Sequence, residues 1–399
     1  MIASLLDFAR HGLSGAGWLG IALYMLVATQ LTIFAVTLYL HRSQTHRGVD
    51  FHPVVAHFFR FWSWLSTGMV TREWVAIHRK HHAFTETADD PHSPQVLGIR
   101  KVFWQGVELY RTASEDQAML TKYGRGTPDD WLERHVYGAH PYFGPALLLV
   151  INLALFGTLG VAMWGVQMLW IPFWAAGVVN GLGHWWGYRN FETSDKATNL
   201  TPWGIWIGGE ELHNNHHAFP SSAKFALRHF EVDIGWIAIR GLARLRLAKV
   251  LRVAPDLDVR PDVSLPDSET LKAVLTHRFQ VMTDFSRRVI HPTLRAEAEH
   301  SSGGRLQAIM PRRLRGALAN GGRWLDTEAR ARMRSLVDRR PTLRTVCDFR
   351  ARLAALMEQR GADAALKGLQ QWVREAEQSG IRALQDFARQ LKGYRVAHA

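Results

Sequence analysis

Apolar and polar positions are unevenly spread along the chain. From Trp18 to Leu40 nearly every residue is apolar, with only Thr and Gln as breaks, and charge begins at His41-Arg42. That run is long enough to cross a hydrocarbon layer of about 30 Å as a helix. Phe51 to Met69 is also apolar, but His52, His57 and Arg60 interrupt it. The pattern predicts an amphipathic helix lying in the membrane interface over about 51–69. Thr71 to Arg134 is polar and charged. Tyr142 to Trp186 is apolar again, broken by Gly157, Gly160, Gly165 and Pro172. Its length predicts two further spans, over about 142–162 and 166–188, joined by a short turn near Gly160–Gln167. Pro255, Pro261 and Pro266 mark a linker over 240–266. Beyond it Arg, Leu and Ala recur with helical periodicity, and Asp267-Ser268-Glu269 predicts a helix start. The expected fold class is all-α: a membrane domain over 1–239 with helical spans and a cytoplasmic helical cap, then a basic helical region over 267–399. The segments Leu343–Arg360 and Ile381–Leu391 have amphipathic spacing.

Charge orients this pattern. The 399 residues carry a formal net charge of +13. Such an excess fits nucleic acid, anionic lipid or acidic proteins in general. No nucleic-acid motif accompanies it, so no nucleic-acid partner is expected. In a membrane chain, basic residues gather on the cytoplasmic side. Twelve Lys and Arg lie between His41 and Tyr142, only Arg10 precedes the first span, and none lies near Gly165. The N-terminus is therefore expected outside, with the long loop and the C-terminal half in the cytoplasm. A full span over Phe51–Met69 would split the histidine clusters described next between the two sides. The N-terminal residues show no cleavable signal pattern.

The chain has one cysteine, Cys347, which excludes an intrachain disulfide and a cysteine-built metal site. It has 20 histidines. Isolated ones, such as His57 and His140, read as polar tips at a membrane interface. Three clusters do not. They are His41-Arg-Ser-Gln-Thr-His46, His78-Arg-Lys-His81-His82 and His213-Asn-Asn-His216-His217. Positions i, i+3 and i+4 share one helix face, so each triplet can aim its imidazoles at one metal. His41 and His46 are five apart and need a helix end or local unwinding to converge. Eight imidazoles exceed what one metal takes and point to two. Iron, zinc, copper and nickel all accept imidazole. Ionisable groups are missing from the first span, and the histidines gather on one side, which counts against metal transport.

On these residues the chain resembles the membrane fatty acid desaturase family, which includes the stearoyl-CoA desaturases. The family's boxes HxxxxH, HxxHH and HxxHH match HRSQTH, HRKHH and HNNHH in order. The flanks match as well: Tyr39-Leu40 before the first box, Glu86-Thr87 and Asp90-Pro91-His92 after the second, Phe219-Pro220 after the third. The family's further Asn-x3-His element is Asn180-Gly-Leu-Gly-His184. The resemblance covers roughly Leu31 to Phe230. It implies nine ligands to two iron ions, namely His41, His46, His78, His81, His82, His184, His213, His216 and His217. Asn180 would hold a metal through water. It implies O2 as co-substrate, a lipid acyl chain as substrate, and electrons from a separate redox protein of the ferredoxin/reductase type. Membrane hydroxylases and alkane oxygenases share the boxes more loosely.

Two departures carry information. In acyl-CoA desaturases an Arg-Asp pair precedes the second box, where this chain has Ala76-Ile77, which favours an acyl chain carried on phospholipid. The stretch Arg72-Glu73-Trp74 and Arg79-Lys80-His81-His82-Ala83 resembles the bacterial phospholipid delta-9 desaturases, implying an inner-membrane location. The chain contains no HPGG motif of a fused cytochrome b5. Glu73, Glu86, Asp89, Asp90, Glu210 and Glu211 are candidates for orienting the imidazoles. Trp185, Trp186, Trp203 and Trp206 are candidates for lining the acyl slot, and Arg72 and Arg79 for holding a lipid phosphate.

Overall fold

The computed structural model describes residues 2–397. It divides into two compact units. The first comprises Met1–Arg189 and Thr193–Ala254, the second Asn190–Glu192 and Pro255–Ala399.

The first unit opens with α1 (Ile2–His11) and the long helix α2 (Trp18–Thr45). The last part of α2, Ala35–Thr45, is wound as a π-helix. A short strand β1 (Val49–Phe51) leads to α3 (Pro53–Thr67) and α4 (Thr71–Phe84). Pro53 at the first helical position and Gly68 in the left-handed conformation delimit α3, as local chemistry dictates. Then follow α5 (Ile99–Trp104), α6 (Gly106–Ser114), α7 (Phe143–Phe156) and α8 (Thr158–His184). The short helix α9 (His213–Ala218) carries the third histidine cluster. Helix α10 (Ile234–Arg244) and strand β2 (Ala248–Val250) close the unit, β2 pairing antiparallel with β1. Leu38, Tyr39, Leu40, Ile171, Val179 and Ile239 meet in its core.

Among the described residues two helices, α2 and α8, are long and apolar enough to cross a membrane. Their outer faces stay apolar: Leu19, Leu23 and Leu26 on α2 and Val161, Val166 and Leu169 on α8 are all exposed. Exposed apolar helix faces of this kind are costly in water and suit lipid. Within it, Tyr24 Oη donates to Asn152 Oδ1 (2.6 Å) and Asn152 Nδ2 to Gln167 Oε1 (2.6 Å), tying α2, α7 and α8 together.

Two expectations need correction. The turn between the last apolar helices lies at Gly157, not near Gly160–Gln167. Gly157 has φ 62° and ψ −145°, a conformation open to glycine alone. Gly160 sits inside α8, where an added Cβ would come 2.0 Å from the Asn152 carbonyl, so its role is close helix contact. Helix α7 is thus 14 residues, about 21 Å at 1.5 Å per residue, shorter than the span expected over 142–162. The stretch 240–266 is also less of a linker than expected. It holds the end of α10, strand β2 and strand β3 (Asp256–Val259).

In the second unit β3 pairs antiparallel with β4 (Tyr394–Ala397). Helix α11 (Ser268–Thr276) starts where Asp267 accepts from the Thr270 N–H, the capping expected of Asp at that position. The amphipathic helices α12 (Pro341–Glu358), α13 (Ala362–Gln378) and α14 (Arg382–Leu391) surround a core of Phe285, Trp372, Phe387 and Leu391.

Candidate metal centre

The first cluster sits on the π-wound end of α2. In an α-helix two residues five apart point about 140° away from each other. The π turn, closed by the His46 N–H to His41 carbonyl bond (3.1 Å), returns His41 and His46 to one side. Helix α4 presents His78, His81 and His82, helix α9 presents His213, His216 and His217, and the end of α8 presents His184.

These nine imidazoles converge as two groups, each with ligand atoms within 4.8 Å of one another. One is His41, His46, His78, His82 and His216; the other is His81, His184, His213 and His217. The second and third boxes therefore do not map one to one onto the groups: α4 and α9 each contribute to both, and a triplet does not serve a single group as its spacing suggested. In the first group the Nε2 of His216 lies 3.0 Å from those of His41 and His82, and His82 Nε2 lies 3.1 Å from that of His78. In the second, His213 Nε2 lies 3.0 Å from His184 Nε2. Two imidazole nitrogens bound at about 2.1 Å and at right angles on one cation would lie about 3.0 Å apart. Nε2 of His46, His81 and His217 is buried with no hydrogen-bond partner, a costly state that a bound cation would relieve. The donor set fits a pair of imidazole-bound metals. Burial and neighbouring histidines push the imidazoles of His78, His82, His213 and His216 well below the usual range, keeping them neutral as ligation requires.

Carboxylates hold the far nitrogens. His41 Nδ1 is 2.8 Å from Glu210 Oε1, which also accepts from Thr37 Oγ1. His81 Nδ1 is 2.9 Å from Asp90 Oδ1, His217 Nδ1 is 2.9 Å from Asp195 Oδ2, and His184 Nδ1 is 3.4 Å from Glu86 Oε1. Burial would raise Asp90, Asp195 and Glu210, but their histidine partners outweigh it, holding Asp90 and Asp195 well below the carboxylate range and lowering Glu210. Each contact fixes a ring and leaves Nε2 facing inward. His92 stacks on His81 at 4.3 Å. It belongs to a third grouping with His81 and Asp90, but that grouping shares both residues with the arrangement just described.

A cavity of about 840 Å³ opens on the histidines, within the range of about 300–1,000 Å³ for ligand pockets. His41, His78, His213 and Asn180 line it, and its walls include Val36, Trp74, Ile77, Val102, Ile171, Ala175 and Val179. An apolar slot passing both histidine groups is what a long alkyl chain requires.

Comparison with known proteins decides the family. The fatty acid desaturase family matches residues 16–234. The chain belongs to the fatty acid desaturase family. It is 32% identical over 251 residues to the Acyl-CoA C20 Delta5-desaturase of Anemone leveillei, covering 61% of this chain and 76% of that one. Delta-9 acyl-lipid desaturase 1 of Arabidopsis thaliana is 31% identical over 219 residues, 53% of this chain and 69% of that one. The sn-1 stearoyl-lipid 9-desaturase of Anabaena variabilis is 28% identical over 244 residues, 60% of this chain and 87% of that one. The protein is thus a desaturase, an oxidoreductase of lipid acyl chains.

Not every candidate drawn from the desaturase's sequence falls at the site. Glu73 meets Tyr110 instead of a histidine, Asp89 is exposed, and Glu211 accepts from the N–H groups of Trp206, Ile207 and Gly209. Trp185, Trp186, Trp203 and Trp206 are about half exposed or more and do not line the cavity. Trp74 stands in the wall instead, stacked on His78 at 4.9 Å. Arg79 spends its guanidinium on the carbonyls of Gln44, Thr45, Tyr123 and Arg125. Asp195 was missed. It lies 22 residues from His217, in a loop without a repeating pattern.

Proposed function

We propose that the desaturase uses two iron ions and O2 to introduce a cis double bond at the delta-9 position of saturated acyl chains carried on phospholipid. The observation that carries this reading is the opening of both histidine groups onto one apolar cavity. Bound at the nine histidines, two irons would supply O2 activation and the power to oxidise an unactivated methylene. The chain's own part is to orient the ligands through Glu210, Asp90, Asp195 and Glu86, to place the methylenes beside them between Trp74 and Val179, and to exclude water. Asn180, on the cavity wall, would hold a metal through water.

The positions before the second box support the phospholipid carrier. Ala76 and Ile77 are buried, Ala76 against Met119 and Leu120 and Ile77 in the cavity wall. Neither can hold an anionic CoA group. The relatives of Arabidopsis and Anabaena are named for acyl lipids and that of Anemone for acyl-CoA, so the choice of carrier rests on Ala76 and Ile77. Electrons come from a separate redox protein. The N-terminus lies outside, the metal centre and C-terminal unit lie in the cytoplasm of a bacterial inner membrane, and residues 267–399 form a region of their own.

Mass spectrometry of lipids from cells expressing the wild type or a His81→Ala, His216→Ala double variant tests this. The wild type alone is expected to convert saturated phospholipid chains to monounsaturated ones, and the bond position reads the regiochemistry. Hydroxylated products, or unchanged lipids with iron and donor supplied, would overturn it.

A further inference from the structure

The acyl cavity has a polar rim that the metal chemistry does not use. Glu108 and Arg111 on α6 both line the cavity and are both exposed. Three residues apart, they share a helix face. Neither side chain takes part in an ion pair or hydrogen bond among the described residues. Trp104 stands on the same rim and is 74% exposed. An indole in that setting marks headgroup depth in a bilayer. Just inside, Tyr110 Oη lies 3.4 Å from Glu73 Oε2, and the wall beyond is apolar.

We infer that this rim is the headgroup site and that it selects a zwitterionic aminophospholipid, Arg111 meeting the phosphate and Glu108 the headgroup amine. The inference deepens the proposed function and rests on its reading that the chain is carried on phospholipid. One cation beside one carboxylate complements a head that itself carries one anion beside one cation. Among the described residues lining the cavity Arg111 is the one Lys or Arg, and Glu108 stands three positions away, so a polyanionic carrier such as CoA meets like charge as well. A phosphate with a neutral polyol head would satisfy Arg111 and leave Glu108 without a partner. Discrimination lives in that difference.

The test is a pulse of isotope-labelled saturated fatty acid in cells whose membranes contain both phosphatidylethanolamine and phosphatidylglycerol, read by headgroup-resolved mass spectrometry. In the wild type, labelled double bonds are expected first in phosphatidylethanolamine. Glu108→Gln is expected to lower the ethanolamine-to-glycerol product ratio by about two- to fivefold, the range of an exposed ion pair. Arg111→Gln is expected to slow desaturation of both lipids, and Arg111→Lys to restore it. The ratio is read within one protein population, so differences in expression do not move it. Equal labelling of the two lipids in the wild type, or a ratio unmoved by Glu108→Gln while total desaturation persists, overturns the headgroup inference and leaves the phospholipid reading standing. Double bonds that appear first in the acyl-CoA pool overturn the phospholipid reading, and the inference with it.

Discussion

Arg42 and Asp233, 191 residues apart, form a two-pronged ion pair with both contacts at 2.9 Å and both side chains fully shielded from solvent. Arg42 also donates to the carbonyls of Ala223 and Gly208 and lies 3.8 Å over the Phe225 ring. Asp233 accepts from the N–H groups of Phe225 and Trp236. The pair fastens the residue next to His41 to the chain that follows the third histidine cluster. Removing one partner leaves the other charge buried, which costs about 3–5 kcal/mol. Asp233→Ala is therefore expected to lower the thermal unfolding midpoint in detergent strongly, and Asp233→Asn less so. An unchanged midpoint for Asp233→Ala would show that the pair does not secure this end of the fold.

Asp195 tests the orienting carboxylates. Replacing such a partner typically costs 10–100-fold in metal affinity. With iron at the second histidine group as proposed, Asp195→Asn is expected to release it at lower chelator concentration than the wild type. Asp89→Asn is the control, because Asp89 is exposed and touches no histidine. Iron content measured by elemental analysis after graded chelator dialysis decides the matter. Equal retention in both variants would remove Asp195 from the set.

The convergence of the histidines was legible because side chains at i, i+3 and i+4 share a helix face, and spacing survives in sequence. His81 and His82 are neighbours yet serve different groups, which the i, i+3, i+4 pattern cannot show, since the partition depends on where α9 and α8 meet α4. The convergence of His41 and His46 required an unwound turn, and the structure supplies it as a π-helix. Other features are products of tertiary packing. Asp195 reaches His217 from an irregular loop, and Trp74 joins the cavity by the direction of α4. Gly157, Gly160 and Gly165 look alike in sequence, but only Gly157 of the three adopts a positive φ. The amphipathic spacing of 343–360 and 381–391 foretold helices, found as α12 and α14, whereas β2 and β3 are too short to leave a strand pattern.

Glu133 makes stability depend on pH. Burial pushes its carboxyl up to about 7 from 4.5, opposed by Arg60. Arg60 is 3.8 Å away and pairs more closely with Asp130, and neither Glu133 oxygen has a hydrogen-bond partner. Because the folded chain holds this proton more tightly than the unfolded one, the contribution is fully present below the unfolded value. It declines as pH rises from about 4.5 through about 7. Glu133→Gln, which stays neutral, is expected to flatten the fall in unfolding midpoint between those limits. Parallel pH profiles for the two proteins would assign the dependence elsewhere.

The cavity can be separated from the metal centre by filling it. Ala175 lines the slot on α8, and its side chain is not a candidate ligand. Ala175→Trp would place a large ring where the alkyl chain is proposed to run, and a packed wall gives little room for it to relax. Iron content is expected to match the wild type, because the histidines and their carboxylates are untouched. Product formation on long saturated chains is expected to fall at least tenfold, a loss of about 1.4 kcal/mol or more. Shorter chains that end before the ring should lose less, so the ratio of short to long products should rise. Loss of iron and activity together would mean that the substitution has disturbed the fold instead. Full activity with iron retained would place the acyl chain outside this cavity, and the route of the substrate to the nine histidines would then have to be sought on another face of the first unit.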